Sequence, residues 1–467
     1  MIRFLLICTS TLFSMYIFGQ DITGKWNGTI KVSNTELLLV LHVKESGDSL
    51  TAVMDSPDQR AYGIPVSSIS FYKTDLIFSI ASLGASYHGK FDDTGIIRGE
   101  FSQMGVSVPL NLSRSEIEKN VPNRPQEPKP PFPYLTEEVT FTNSKDHVTL
   151  AGTLTKPNQK GKFPVVVLIS GSGPQNRDEE LMGHKPFLVI ADYLTRNGIG
   201  VLRYDDRGTA ESTGDFSTAT TFDFANDAEA SVQYLLTRKD VNTEKIGLIG
   251  HSEGGIIAPI VASRNKKVAY VVLLAGTGVR GDELLLMQQK AMAKVSGIPE
   301  SAIIENEKLN RPLFREIIES PDTVELRSRL HRIMERSLNE NLLLKQQLSV
   351  EQLNDMVSVT VDRLLSPWMY HFIKYDPYPN LKKVKCPILA LNGSNDLQVP
   401  AKVNLSAIQK AFHESGNTNV TIVEISGLNH LFQESKTGSP DEYAKIEQTF
   451  SPKALEEILN WIKMQIN

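Results

Sequence analysis

The stretch Lys245-Ile246-Gly247-Leu248-Ile249-Gly250-His251-Ser252-Glu253-Gly254-Gly255-Ile256-Ile257-Ala258-Pro259-Ile260-Val261-Ala262 decides how the rest of this 467-residue chain is organised. It opens as an apolar run of strand length and closes as an aliphatic run of helical length, with Gly-x-Ser-x-Gly between them. A chain that turns from strand to helix within five residues forces the central serine into a strained backbone conformation. It also leaves no room for side chains at the flanks, so Gly250 and Gly254 are structural requirements of the turn. Ser252 is thereby presented at a strand end, and the helix that follows aims its positive dipole end at any negative charge forming there. A hydroxyl is a weak nucleophile at neutral pH, so a nucleophilic Ser252 needs a base.

Behind a turn of this kind the acid and then the histidine follow the serine in chain order. Downstream of Ser252 stand His331, His371, His413 and His430. The first two fall in helical sequence and His413 ends a helix-like stretch. His430, within Gly427-Leu428-Asn429-His430, lies in a loop directly after the last strand-like run and is the expected base. The acid should project from the end of the preceding strand. There Leu391-Asn392-Gly393-Ser394-Asn395-Asp396 supplies Asp396, which would accept the second imidazole N–H and hold the ring in the right tautomer. Asp376 sits in a Pro-rich turn near helical sequence and fits less well. The backbone N–H of Glu253, next after the serine, is one expected oxyanion donor. The second is assigned to Ser172, with Gly171 the alternative, in the loop Ser170-Gly171-Ser172-Gly173-Pro174.

Outward from this centre, buried β-branched runs alternate with helical stretches: Val165–Ile169, Val201–Tyr204, Ile246–Ile249, Val271–Leu274, Ile388–Leu391 and Val420–Ile425. Continuous apolar runs of this length are central parallel strands, and the alternation predicts a doubly wound α/β sheet. Two further strand-like pieces, Glu138–Thr142 and Val148–Thr155, precede them. Between Leu274 and Ile388 the rhythm breaks. Asp282–Val295, Thr323–Glu340 and Val350–Leu365 carry helical spacing, punctuated by Pro312, Pro321 and Pro367, which predicts an inserted helical cap at about 278–384.

Residues 20–115 alternate in the β manner with turns such as Gly47-Asp48 and Asp92-Asp93-Thr94-Gly95, and predict a small antiparallel barrel or sandwich. Gly24-Lys25-Trp26 resembles the Gly-x-Trp of lipocalin-like barrels over those three residues alone. A filled accessory barrel and a ligand-binding one carry equal weight here. Residues 116–135 hold Pro122, Pro125, Pro128, Pro130, Pro131 and Pro133, which block helix and sheet and predict a linker to the domain at 136–467.

Residues 1–19 read as an export signal: Arg3, the apolar Phe4–Phe18, then Gly19 before Gln20-Asp21. The run is short for a membrane span, so a secreted or periplasmic location without stable membrane insertion is expected. Ile7 before Cys8 argues against lipidation. Once the signal is removed Cys386 stands alone, so no disulfide framework follows, and its apolar surroundings predict a buried structural thiol. A net charge of −5, with no dense Lys/Arg cluster, argues against a nucleic-acid partner. Gly171-Ser172-Gly173 lacks the Gly-Lys-Ser/Thr of a phosphate loop, and His184 and Asp178 stand apart from any zinc-ligand spacing. The charged stretch Arg203-Tyr204-Asp205-Asp206-Arg207-Gly208 reads as a loop held by internal ion pairs near the site.

From about Glu137 to the C-terminus the chain resembles the α/β-hydrolase superfamily, on Gly250–Gly254, the Ser170–Pro174 loop, Asp205-Arg207-Gly208, Asp396 and His430. Ser170–Pro174 with Asn176-Arg177-Asp178, and Gly250-His251-Ser252-Glu253-Gly254-Gly255, look like bacterial esterases related to the serine aminopeptidase group. The resemblance implies a carboxylester hydrolase with a helical cap, acting on a small-molecule ester through an acyl-enzyme, without metal or organic cofactor. A peptidase or amidase with the same triad is the first rival. It would need a carboxylate to anchor the peptide terminus, for which Glu305, Glu307 and Glu335 are the candidates. Thioesterase chemistry stays open, and a binding protein with an inactive α/β domain is the rival from another class.

Overall fold

The computed structural model describes residues 21–32, 35–47, 49–57, 61–103, 106–117, 123–320, 323–340 and 350–467; the expected export signal lies outside them. The chain divides into two compact units, Met1–Lys119 and Asn120–Asn467.

In the first unit, β1 (Gly24–Val32), β2 (Thr35–Ser46), β3 (Ser49–Ser56) and β4 (Ala61–Pro65) form one antiparallel sheet. A second is built from β5 (Ser68–Tyr72), β6 (Asp75–Ile80), β7 (Ala85–Phe91), β8 (Ile97–Gln103) and β9 (Val106–Leu112). An antiparallel bridge between Asn27 and Ser113, with backbone bonds of 2.7 and 2.8 Å, ties β1 to the residue after β9. Alternation along the strands turns Trp26, Leu41, Met54, Phe78, Tyr87, Ile97 and Leu110 into one interior cluster, so side chains fill this small fold. Strand β4 carries Pro65 and a left-handed Gly63 (φ 65°), both poor strand formers, and survives as a sheet edge paired on one side with β3.

The second unit holds an eight-stranded sheet made of β10 (Leu135–Asn143), β11 (Val148–Lys156), β12 (Phe163–Ile169), β13 (Gly200–Tyr204), β14 (Val241–His251), β15 (Val268–Leu274), β16 (Ile388–Gly393) and β17 (Val420–Ile425). Their order across the sheet is β10-β11-β13-β12-β14-β15-β16-β17. The pairs β10/β11 and β11/β13 are antiparallel and the rest parallel. Helices α1 (Pro186–Arg196), α2 (Thr221–Thr237) and α3 (Gly254–Arg264) alternate with these strands. Between β15 and β16 come α4 (Gly281–Val295), α5 (Glu300–Glu319), α6 (Thr323–Glu340), α7 (Val350–Leu364), α8 (Pro367–Lys374) and α9 (Tyr378–Leu381). Helices α10 (Ala401–Ser415), α11 (Pro440–Tyr443) and α12 (Pro452–Ile466) complete the unit.

Successive strand residues serve opposite faces. Val165, Val167 and Ile169 lie on the face covered by α2, α3 and α10, while Val166 and Leu168 lie on the face covered by α1 and α12. That two-sided burial, worth roughly 1.5–3 kcal/mol for each large aliphatic side chain, is why the central strands read as unbroken apolar runs. The inserted helices have a core of their own, in which Leu313, Phe314 and Ile317 of α5 meet Leu326, Leu330 and Met334 of α6 and Val357 and Val361 of α7. From Asn123 onward the Pro-rich segment is docked within this unit. Arg124 donates to the carbonyls of Ala444 (2.9 Å), Gly183 and Met182, and Gln126 to that of Phe450 (2.7 Å). Among the described residues no helix is long and apolar enough to cross a membrane.

Candidate active site

Strand β14 ends at His251, α3 begins at Gly254, and the turn between them sets Ser252 at φ 53°. Few non-glycine residues adopt that left-handed conformation. The flanking glycines are obligatory for a measurable reason. A Cβ on Gly250 would lie 1.9 Å from the Gly254 carbonyl oxygen, and one on Gly254 would lie 2.1 Å from that of Ile169.

His430 stands in the loop after β17, its Nε2 3.1 Å from the Ser252 Oγ and its Nδ1 2.8 Å from Asp396 Oδ2. The other carboxylate oxygen of Asp396 accepts the backbone N–H groups of Gln398 and Val399, both at 2.8 Å. Asp396 thus holds the ring from a fixed, acceptor-only position, and all three residues lie within one relay. The alternatives lie elsewhere: His331 on α6, His371 exposed on α8, His413 in the last turn of α10, and Asp376 closing its own turn through the Tyr378 amide.

The loop after β12 is clamped by two buried carboxyls. Ser170 Oγ donates to Asp206 (2.7 Å), the Gln175 amide donates to the same side chain (3.0 Å), and the Gly171 amide donates to Glu179 Oε1 (2.7 Å). The Gly171 N–H is therefore taken. Among the described residues the amides of Ser172 and Glu253 donate to no protein acceptor. Burial pushes the Asp206 carboxyl well above the usual carboxylate range. Burial likewise raises Glu253, whose Oε1 accepts from Thr221 Oγ1 (2.6 Å) and from the Trp368 indole of α8 (2.8 Å).

The charged stretch after β13 is consumed internally. Arg203 pairs with Asp178, Arg177 with Asp205 (2.6 Å), and Arg207 with Asp227 (2.6 Å) and Asp146 (2.8 Å). None of the three acids considered as peptide-terminus anchors meets the elbow: Glu305 and Glu335 are exposed, and Glu307 pairs with Arg311 and Lys290. Cys386 is half-buried, its thiol pushed up to about 12 by burial. Among the described residues no cluster of His, Cys, Asp and Glu could hold a metal ion. Sequence reasoning missed Glu179, Thr221 and Trp368, which reach the elbow from 72, 32 and 115 residues away.

A mostly parallel sheet wound on both faces, a strand–serine–helix turn and a helical insertion after the strand that follows it define an α/β-hydrolase. The chain belongs to the family described as serine aminopeptidase, S33, whose model matches residues 185–436. It is similar to the esterase EstD of Thermotoga maritima, 29% identical over 318 residues, which cover 67% of this chain and 65% of EstD. It thus spans a little under two thirds of that relative's length. Among solved structures, the esterase Pf2001 of Pyrococcus furiosus is 15% identical with a TM-score of 0.43, covering 75% of this chain and all of that one. The α/β-hydrolase GrgF of a Penicillium species is 18% identical with a TM-score of 0.44, covering 71% and 99%.

Proposed function

We propose that the protein is a serine hydrolase that cleaves carboxylic esters of small molecules through an acyl-enzyme on Ser252. The observation that carries this reading is the unbroken relay from Ser252 Oγ through His430 to Asp396, at 3.1 and 2.8 Å. In this reading His430 Nε2 takes the serine proton as Oγ attacks the ester carbonyl, and Asp396 stabilises the imidazolium through Nδ1. The carbonyl oxygen becomes an oxyanion, met by the amides of Glu253 and Ser172, the two left without protein acceptors. His430 returns its proton to the leaving alcohol, then takes one from water as its oxygen attacks the acyl carbonyl, and gives that proton to Ser252 Oγ as the carbonyl–Oγ bond breaks and the acid leaves. The family supports a serine hydrolase, and the similarity to the esterase EstD favours an ester over an amide as substrate.

The test is hydrolysis of p-nitrophenyl acetate, butyrate and octanoate beside aminoacyl p-nitroanilides, with Ser252→Ala as control. We expect ester turnover that falls at least about 10³-fold in the variant, and fluorophosphonate labelling of Ser252 alone. Turnover of the anilides without the esters would move the assignment to a peptidase. A wild-type protein that neither reacts with the probe nor turns over any of these substrates would overturn it.

A further inference from the structure

His251, the residue between Gly250 and Ser252, has no part in the relay, yet both of its ring nitrogens are engaged in the interior. Nδ1 is 2.9 Å from Glu179 Oε1, and Nε2 is 2.9 Å from the backbone carbonyl oxygen of His430. A carbonyl only accepts, so Nε2 carries a proton. Nδ1 faces a carboxylate oxygen that already accepts the Gly171 amide at 2.7 Å. Two acceptors facing two nitrogens make the ring a double donor, an imidazolium beside a carboxylate. Both side chains are buried, with Phe187, Ile190, Leu274 and Phe450 around them, and low-dielectric surroundings strengthen these bonds. Burial works against a charged ring, but the Glu179 charge outweighs it and His251 holds its proton more tightly than a free histidine. Glu179 itself sits at φ 48°, a left-handed backbone that a glutamate keeps only where its surroundings hold it.

We propose that Glu179 and His251 form a positioning pair that locks the oxyanion loop to the loop carrying the base. One ring ties the Gly171 amide, next to the Ser172 donor, to the main chain of His430, whose own ring lies 4.9 Å away between centroids. Asp396 fixes His430 from its ring, and His251 fixes it from its backbone. The pair touches neither substrate nor Ser252 Oγ and acts through those two loops. This inference rests on Ser252 being the nucleophile. The charged and titratable groups around the pair are Asp396 and His430 on the base side and Asp206 and Glu253 on the oxyanion side.

The experiment uses the full-length protein with Glu179→Gln, His251→Gln and the double variant. It measures the rate of fluorophosphonate labelling at Ser252, kcat and KM on p-nitrophenyl acetate, and thermal unfolding. A misplaced donor or base costs rate and leaves binding alone, so each single variant should label and turn over roughly 10- to 100-fold more slowly with KM little changed. The double variant should be no slower than the slower single one, because the pair acts as a unit. Labelling within twofold of wild type in either variant overturns the proposal, as do losses that multiply in the double variant. Should one variant fail to fold, the other decides by its kcat and KM. Wild-type labelling separates the two levels: if the wild type labels at Ser252 but no ester is hydrolysed, the substrate assignment fails while the labelling rates still judge the pair.

Discussion

The elbow and the helical insertion belong to the same unit and treat space and charge in opposite ways. Around Ser252 the backbone is packed until no Cβ fits at Gly250 or Gly254, and the ionisable groups Asp206, Glu253, Glu179 and His251 are buried, each held by specific donors or acceptors. In the insertion the core is a simple layer of Leu, Ile, Val, Met and Phe. The charges lie outside in helical pairs such as Arg315–Glu319, spaced i,i+4 at 2.9 Å. One region is specified by exact partners, the other by pattern. Mutational cost should therefore concentrate at the turn and fade across the insertion.

The comparison can be broken at several levels. The largest effect is expected from Gly254→Ala, where the new Cβ would meet the Ile169 carbonyl oxygen at 2.1 Å and neither backbone can yield cheaply. We expect a loss of at least about 3 kcal/mol in urea unfolding, or failure to accumulate as soluble protein. A variant of near wild-type stability would show that the turn is looser than its geometry.

A smaller effect, opposite in sign, is expected from Asp206→Asn. A carboxyl whose folded pKa is raised stabilises the fold fully below its unfolded value near 3.9, and that contribution is lost as pH rises through the folded value. Asparagine keeps an acceptor for Gln175 and a donor for Ser170 and does not titrate. The variant should therefore melt about 2–5 °C above wild type at pH 8 and level with it near pH 4, measured by circular dichroism. A gap that is the same at both pH values would remove the buried charge from the explanation. The smallest effect belongs to Arg315→Ala, which breaks an exposed pair and should change neither melting nor ester turnover measurably.

The same contrast explains what the sequence made legible. The parallel strands, the inserted helices, and the candidate residues Ser252, Asp396 and His430 all lie in patterns that short windows or a fixed chain order reveal. Val165–Ile169 is apolar throughout because both its faces are covered, and His430 is a loop histidine directly after a strand. The residues that steady the site carry no such mark. Glu179 is one more acid in Asn176-Arg177-Asp178-Glu179, and the motif that drew notice there ends at Asp178. Its meaning depends on His251, 72 residues on, and no local period encodes that distance. Trp368 reads as an ordinary aromatic on an amphipathic helix until its indole is found on Glu253. Ser172 can be named from its loop, but that Glu179 occupies the neighbouring Gly171 amide cannot be read there.

The indole of Trp368 gives the insertion a point of purchase on the elbow: it comes from α8 and grips the side chain of Glu253, the residue after Ser252. The other insertion helices could be redrawn in sequence without disturbing this handshake. An engineer who grafts a foreign helical insertion onto this sheet would do well to graft around it, keeping Trp368, Glu253 and Thr221 as one joint.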